Sequence, residues 1–243
     1  TINHTKMIEK INLNNILFLD IETVPEHQNY GILDEETRYL WEHKTQYQRK
    51  DEVSAEDFYE RAGIWAEFGK IITISVGYFV NKGDIRNFRV TSFWGDEKKI
   101  LNDFSNLLNT HFNGAQHVLC GHNAKEFDIP FIARRMIIKG IALPNKLNLF
   151  GKKPWEVPHL DTLELWKFGD YKHFTSLKLL TKVLGIPSPK DDIDGSEVAH
   201  VFYVEDNIDR IITYCEKDVI AVAQIFLRLR REDLLIDDEI IHV

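Results

Sequence analysis

Two acids one residue apart close an apolar run, where Ile16-Leu17-Phe18-Leu19 leads into Asp20-Ile21-Glu22-Thr23. The run reads as a short buried strand. Alternation along a strand sends Asp20 and Glu22 to the same face. Two carboxylates finishing such a strand are unfavourable unless they are paired or bound to a cation. The spacing alone says little, since Asp34-Glu35-Glu36 and Asp237-Asp238-Glu239 contain it too. The apolar strand in front sets the first case apart. A third acid, Asp128, comes after a strand-like stretch from His117 to Cys120, a glycine at 121 and Asn123, and it opens a helix. Taken alone, Asn123 or Asp128 there suits a helix cap. The last group is Tyr214-Cys215-Glu216-Lys217-Asp218. A separation of four puts Tyr214 and Asp218 on one helix face, and the stripe of Ile208, Ile211, Ile212, Cys215, Val219 and Val222 holds that helix on the core.

If these acids meet in one cleft, each carboxylate pair repels by roughly 4 kcal/mol at about 4 Å and an effective dielectric near 20. Such a cluster takes up protons or binds cations. With oxygen ligands only, the natural choice is Mg²⁺ or Mn²⁺. Two such ions roughly 3.5–4 Å apart stabilise both the attacking and the leaving oxygen of a phosphodiester displacement.

The elements that must position these groups follow from pattern. Lys70 to Val80 and Ile85 to Trp94 are rich in β-branched and aromatic residues, and Asn81-Lys82-Gly83-Asp84 makes a turn between them, so a hairpin is expected. Helical spacing marks Asp96 to Phe112, Lys125 to Lys139 (with Pro130 tolerable only in the first turn), Thr162 to Lys167, Ser176 to Leu184 and Asp206 to Leu229. Between about 34 and 62 the chain is charged, aromatic and helical in spacing, and reads as an insertion. The expected fold class is α/β, a mixed sheet flanked by helices with a helical insertion between the first and second strands. The expected organisation is an N-terminal extension over 1–15, a main domain over 16–230 with the insertion at about 26–69, and a C-terminal tail over 231–243.

Composition narrows the function. The chain has 243 residues, enough for one large domain or a domain with an insertion, and 44% hydrophobic residues argue against disorder. Its two cysteines, Cys120 and Cys215, lie outside any CxxC or zinc spacing, which argues against a disulfide scaffold or structural zinc and suits a reducing cytoplasm. No run approaches the roughly 18 apolar residues of a membrane span, and Thr1 to Lys10 lacks the pattern of a signal peptide. A net charge of −8 is the wrong sign for tight duplex binding. It suits an enzyme that holds one chain end briefly while metal ions supply positive charge.

Asp20/Glu22, Asn123-x-x-x-Phe127-Asp128 and Tyr214-x-x-x-Asp218, in that order, resemble the three motifs of the DEDD exonucleases, and the tyrosine marks the DEDDy branch. The histidine branch would need a histidine where Thr213 stands. More closely, the chain resembles the proofreading exonuclease domain of family B DNA polymerases and the freestanding bacterial exonucleases related to it. Ala62 to Ile71, His159-Leu160-Asp161-Thr162 and Asp194-Gly195-Ser196 add to the likeness, which runs from about Leu17 to Leu229. No polymerase region follows, so the exonuclease alone is expected.

The resemblance implies a ribonuclease H-like, DnaQ-like fold and a 3′–5′ exonuclease using two Mg²⁺ or Mn²⁺ ions on single-stranded 3′ ends, DNA in the first instance, with release of 5′-mononucleotides. It also implies roles. Asp20 would bridge both ions, Glu22 and Asp218 would complete the first, and Asp128 would hold the second. Tyr214 would orient the attacking water, a geometric task, since an ordinary tyrosine titrates near about 10. Thr23 and Asn123 would contact the terminal nucleotide, and Phe127 would pack beneath the junction.

Blander roles compete. Asp161 is expected to cap a helix more than to serve as a fifth acid. His122, His159 and His173 fit packing or surface better than zinc. Lys125, Arg134, Arg135, Lys178 and Lys182 are candidates for phosphate contacts, although solvated faces account for most such charges. Trp41, Tyr47, Tyr59 and Trp65 are expected to anchor the insertion rather than to stack on bases. The rival functions are an RNA or oligonucleotide exonuclease, and a non-catalytic module that binds nucleic acid or a replication or repair partner through 26–70.

Overall fold

The computed structural model describes residues 8–49, 53–82, 85–170, 172–187 and 193–243. In chain order these form β1 (Ile16–Pro25), α1 (Glu35–Thr45), β2 (Gly69–Lys82), β3 (Ile85–Trp94), α2 (Glu97–Thr110), β4 (Val118–Gly121), α3 (Asp128–Ile138), β5 (Leu160–Asp161), α4 (Thr162–Lys167), α5 (Leu177–Val183), α6 (Val198–Tyr203), α7 (Ile208–Leu229) and β6 (Ile240–His242). The sheet runs β5-β4-β1-β2-β3-β6. β1 and β2, and β2 and β3, pair antiparallel, whereas β4, β5 and β6 join in parallel. This is an α/β fold of the ribonuclease H-like type, a mixed sheet flanked by helices with a helical segment between the first two strands.

β1 lies in the middle, and its alternation builds two cores. Leu17, Leu19 and Ile21 pack toward α2 and α3, against Ile100, Phe104, Ile132 and Met136. Ile16 and Phe18 pack toward α7, against Val219, Val222 and Phe226. Phe18 meets Phe79, Phe88 and Phe226 edge-on at 5.8–5.9 Å, a favoured aromatic geometry. Phe18 pairs with Gly77, and that glycine lets α7 sit down on the sheet. A Cβ on Gly77 would stand 2.2 Å from Phe88 Cζ and 2.8 Å from Val219 Cγ1.

Several elements differ from expectation. β1 carries both acids as expected but runs on past them to Pro25, which pairs with Gly69 at the strand's end. α3 begins at Asp128 rather than Lys125, because 122–127 form the turn that carries the chain off β4. β5, β6 and α6 are too short for periodicity to announce, and residues 231–243, expected as a tail, supply β6. Gly83 and Asp84 of the expected hairpin turn lie outside the described residues.

Between β1 and β2, Trp41 is fully buried among Phe58, Tyr59, Trp65 and Phe68, so these aromatics anchor the segment as expected. Tyr47 does not; it is 91% exposed. Among the described residues no helix is long and apolar enough to cross a membrane.

Candidate active site

The acids of β1 sit where the sheet opens. β4 pairs with β1 only from Ile16 to Phe18. Beyond that, Gly121 turns the chain away, and a Cβ there would meet Ala124 Cβ at 2.4 Å. Asn123 follows in the left-handed region (φ 62°), which asparagine tolerates. The β1 edge is then free of strand partners, and the Ile21 N–H donates to Asp128 Oδ1 at 3.2 Å. The first residue of α3 is thereby fixed against the strand that carries Asp20 and Glu22. Asp128 does not act as the cap, since the capping position is Phe127 and carries no side-chain cap bond.

From the other side, α7 brings Cys215 against β1. Its thiol donates to Asp20 Oδ2 at 3.3 Å, and ligand atoms of Asp20, Glu22 and Cys215 all lie within 4.8 Å of one another. Asp218 is near enough to raise the proton affinity of Asp20, Glu22 and Asp128 by its charge. Tyr214 lies one turn before it on α7, half-buried beside Ile211. Acids from a strand, a strand–helix junction and a late helix therefore converge.

The electrostatics follow from that convergence. Desolvation, reinforced by the charges of Asp128, Asp218 and Glu22, holds the Asp20 carboxyl well above the usual range. Desolvation followed by Asp218 and Asp128 does the same to Glu22. Burial raises Asp128 to about 7, against the bonds from its own amide and from Ile21 that lower it, with Asp161 and Asp218 adding to the rise. Burial also pushes the Cys215 thiol up, so it stays protonated. The leading causes of all three rises are burial and neighbouring carboxyls, a crowding that a bound cation would relieve. Across the β1–β2 register Glu22 faces Thr73, whose buried hydroxyl has no hydrogen-bond partner among the described residues.

The other residues singled out in the sequence make the following contacts. Thr23 Oγ1 donates to Gly63 O at 2.7 Å, where β1 and β2 slip register by one residue. Phe127 packs on Phe131 at 5.4 Å beneath the junction. Asp161 caps α4, accepting from Leu163 N at 2.9 Å. It also accepts from Asn123 N and Lys125 N at 2.9 and 3.0 Å, which holds the turn ahead of Asp128. His159 is a packing residue, receiving Leu119 N–H and facing Lys146 O, and burial lowers it to about 4. His122 bridges Thr162 and the Thr175 carbonyl, and His173 meets the Thr175 hydroxyl.

Arg135 corrects the expectation for the cations. It is fully buried, with Nη2 on Glu97 Oε2 at 2.7 Å, Nη1 on Ala66 O at 2.8 Å and Glu26 at 3.3 Å. Sequence reasoning also passed over Cys215 as anything but core. Its place three residues before Asp218, a spacing that shares a helix face, was the available signal.

A family model described as a predicted 3′–5′ exonuclease related to the exonuclease domain of PolB matches residues 64–239. The chain belongs to this family. No curated protein matches it. Among solved structures, it is similar to the family B DNA polymerase from the hyperthermophilic archaeon Pyrobaculum calidifontis, with a TM-score of 0.51 and 14% identity over 87% of this chain. The match spans 24% of that polymerase chain. At such identity the likeness bears on the fold. Within the PolB-related exonuclease family, the matched segment contains Asp128, Tyr214 and Asp218, while Asp20 and Glu22 precede it.

Proposed function

We propose that the chain is a two-metal-ion 3′–5′ exonuclease that hydrolyses phosphodiester bonds at the 3′ ends of single-stranded DNA and releases 5′-mononucleotides. The observation that supports this reading is the crowding of Asp20, Glu22 and Asp128, whose proton affinities are raised by burial and by charges that include that of Asp218. Such a cluster is relieved by protons or by cations. Hard carboxylate oxygens fit Mg²⁺ or Mn²⁺. The unpartnered Thr73 hydroxyl beside Glu22 adds a polar atom that a hydrated ion would satisfy. When bound, the ions would supply Lewis acidity and neutralise phosphate charge.

The chain's own residues take the roles the DEDDy motifs imply. Asp20 is assigned to both ions, Glu22 and Asp218 to the first, and Asp128 to the second. Cys215 steers the Asp20 carboxylate by its S–H bond. Tyr214 orients the attacking water through its hydroxyl. Asn123 and Thr23 are assigned to the terminal nucleotide; the Thr23 hydroxyl already donates to Gly63, so it would meet the nucleotide as an acceptor. Phe127 supports the junction from below. The catalytic unit comprises 16–230 together with β6, and the 26–70 segment is the surface assigned to a replication or repair partner. Two buried thiols suit a reducing, cytoplasmic setting.

The test is time-resolved digestion of end-labelled single-stranded DNA, duplex DNA and RNA with Mg²⁺, Mn²⁺ or chelator. A ladder shortening from the 3′ end, dependent on metal and fastest on single-stranded DNA, is expected. Absence of mononucleotide release from every substrate sinks the reading.

A further inference from the structure

Next to the acid cluster, the outer face of α3 borders a groove of about 580 Å³. Its floor is apolar, made by Ile129, Ala133 and Ile137 of α3 with Leu147 and Leu149 of the following loop. The groove is lined at one end by Lys125, Glu126 and Ile129, the sequence neighbours of Asp128, while the acids themselves lie outside its lining. Two large aromatics stand in water along the loop that walls it: Phe150, which lines the groove, and Trp155 beside the lining Pro154, at 73% and 72% exposure.

The charges around the groove divide unevenly. Its acids are already held, Glu164 by Lys125 at 2.7 Å and Glu126 by Lys167 at 3.9 Å. Arg134 and Lys152, both exposed, are in no ion pair among the described residues, and Lys153 Nζ, 5.4 Å from the Trp155 ring centre, is in none either, although the Lys153 backbone N–H donates to Glu156 at 2.8 Å. The surplus is therefore cationic although the chain as a whole is acidic. Exposed aromatic faces beside unpaired cations and an apolar floor are what unpaired bases and their phosphates require, and a duplex hides those faces.

We propose that this groove is the path of the single strand leading away from the cleaved end. Bases stack on Phe150 and Trp155, and Arg134, Lys152 and Lys153 follow the phosphates. The proposal rests on the exonuclease reading and deepens it. From Ile129 to Ile137 the groove runs about 12 Å along α3 at about 1.5 Å per residue, enough for roughly three or four nucleotides at about 3.4 Å each.

The full chain and two variants, Phe150→Ala/Trp155→Ala and Lys152→Glu/Lys153→Glu, are compared on a thymidine 20-mer and on a thymidine dinucleotide with Mn²⁺. For both variants the 20-mer KM is expected to rise about tenfold or more, with kcat within about twofold and dinucleotide hydrolysis unchanged. Unchanged KM on the 20-mer overturns the proposal and leaves a peptide as the better occupant of an apolar groove. Equal losses on both substrates overturn it too, because the changes would then act through the site. Anisotropy of labelled 20-mer in chelator separates the two readings. Weaker binding by the variants keeps the groove even if the parent protein cleaves nothing, and that second result removes the exonuclease alone.

Discussion

Ile21 on β1 and Asp128 on α3 are 107 residues apart in sequence and joined by one hydrogen bond of 3.2 Å. That bond uses a strand N–H left free because β4 departs after Gly121, and it sets a third carboxyl beside Asp20 and Glu22. Desolvation and the mutual charge of these acids then follow from position alone.

Asp218→Ala is expected to abolish mononucleotide release, by at least about a hundredfold, with the fold retained. Removing one charge also relieves Asp20, Glu22 and Asp128. The chelated variant should melt at or above the temperature of the parent. Circular dichroism melts beside activity assays check this; a clear drop in the chelated Tm would mean that Asp218 is structural.

Tyr214→Phe is expected to slow hydrolysis by roughly ten- to a thousandfold, within the range of a lost proton-transfer or water-positioning group. Metal binding, read as the shift of Tm with Mn²⁺, should be largely kept. Unchanged turnover removes Tyr214 from the mechanism.

The cluster predicts an inverted pH dependence of stability without metal. Asp128 is at about 7 in the folded chain, above about 3.9 for an unfolded aspartate, so the folded state binds more protons. Its contribution is present below the unfolded value and is lost as pH rises through about 7; Asp20 and Glu22, also raised, act with the same sign. In chelator the Tm should fall from pH 5 to pH 8, less steeply for Asp128→Asn, and Mn²⁺ should restore it most at pH 8. Parallel slopes for the two proteins would contradict the assignment.

Gly77→Ala is expected to destabilise by about 1–3 kcal/mol, since the added Cβ would meet Phe88 and Val219 closely and overpack the α7 interface. Activity should fall further than stability does, because α7 carries Tyr214 and Asp218. A kcat equal to the parent's at a temperature where both are fully folded would show that α7 docks without this close approach.

Arg135→Met leaves Glu97, at 7% exposure, without its main partner. Lys139 at 3.2 Å remains. Breaking a buried pair by removing one member costs about 3–5 kcal/mol, read as a shift in the urea midpoint. A loss confined to nucleic-acid binding would instead return Arg135 to the surface role that its sequence neighbourhood suggested.

Sequence by itself determined the parts that obey a local period. Alternation put Asp20 and Glu22 on one face of a strand, and the spacing of four put Tyr214 and Asp218 on one face of a helix whose stripe is buried at Ile211, Cys215, Val219 and Val222 and half-buried at Ile208 and Ile212. Composition and motif order further narrowed the fold class. Tertiary structure decided whatever depends on partners far away in the chain. Arg135 and Arg134 are adjacent and alike in sequence, yet one is sealed against Glu97 and the other lines the groove, because neighbours on a helix point about 100° apart and the docking of α3 buries only one of the two directions. The same holds for the thiol of Cys215 on Asp20, for Asp161 gathering the N–H groups of Asn123 and Lys125, and for the edge strands β5 and β6. Long-range packing selects those contacts, and no repeating pattern in the chain records them.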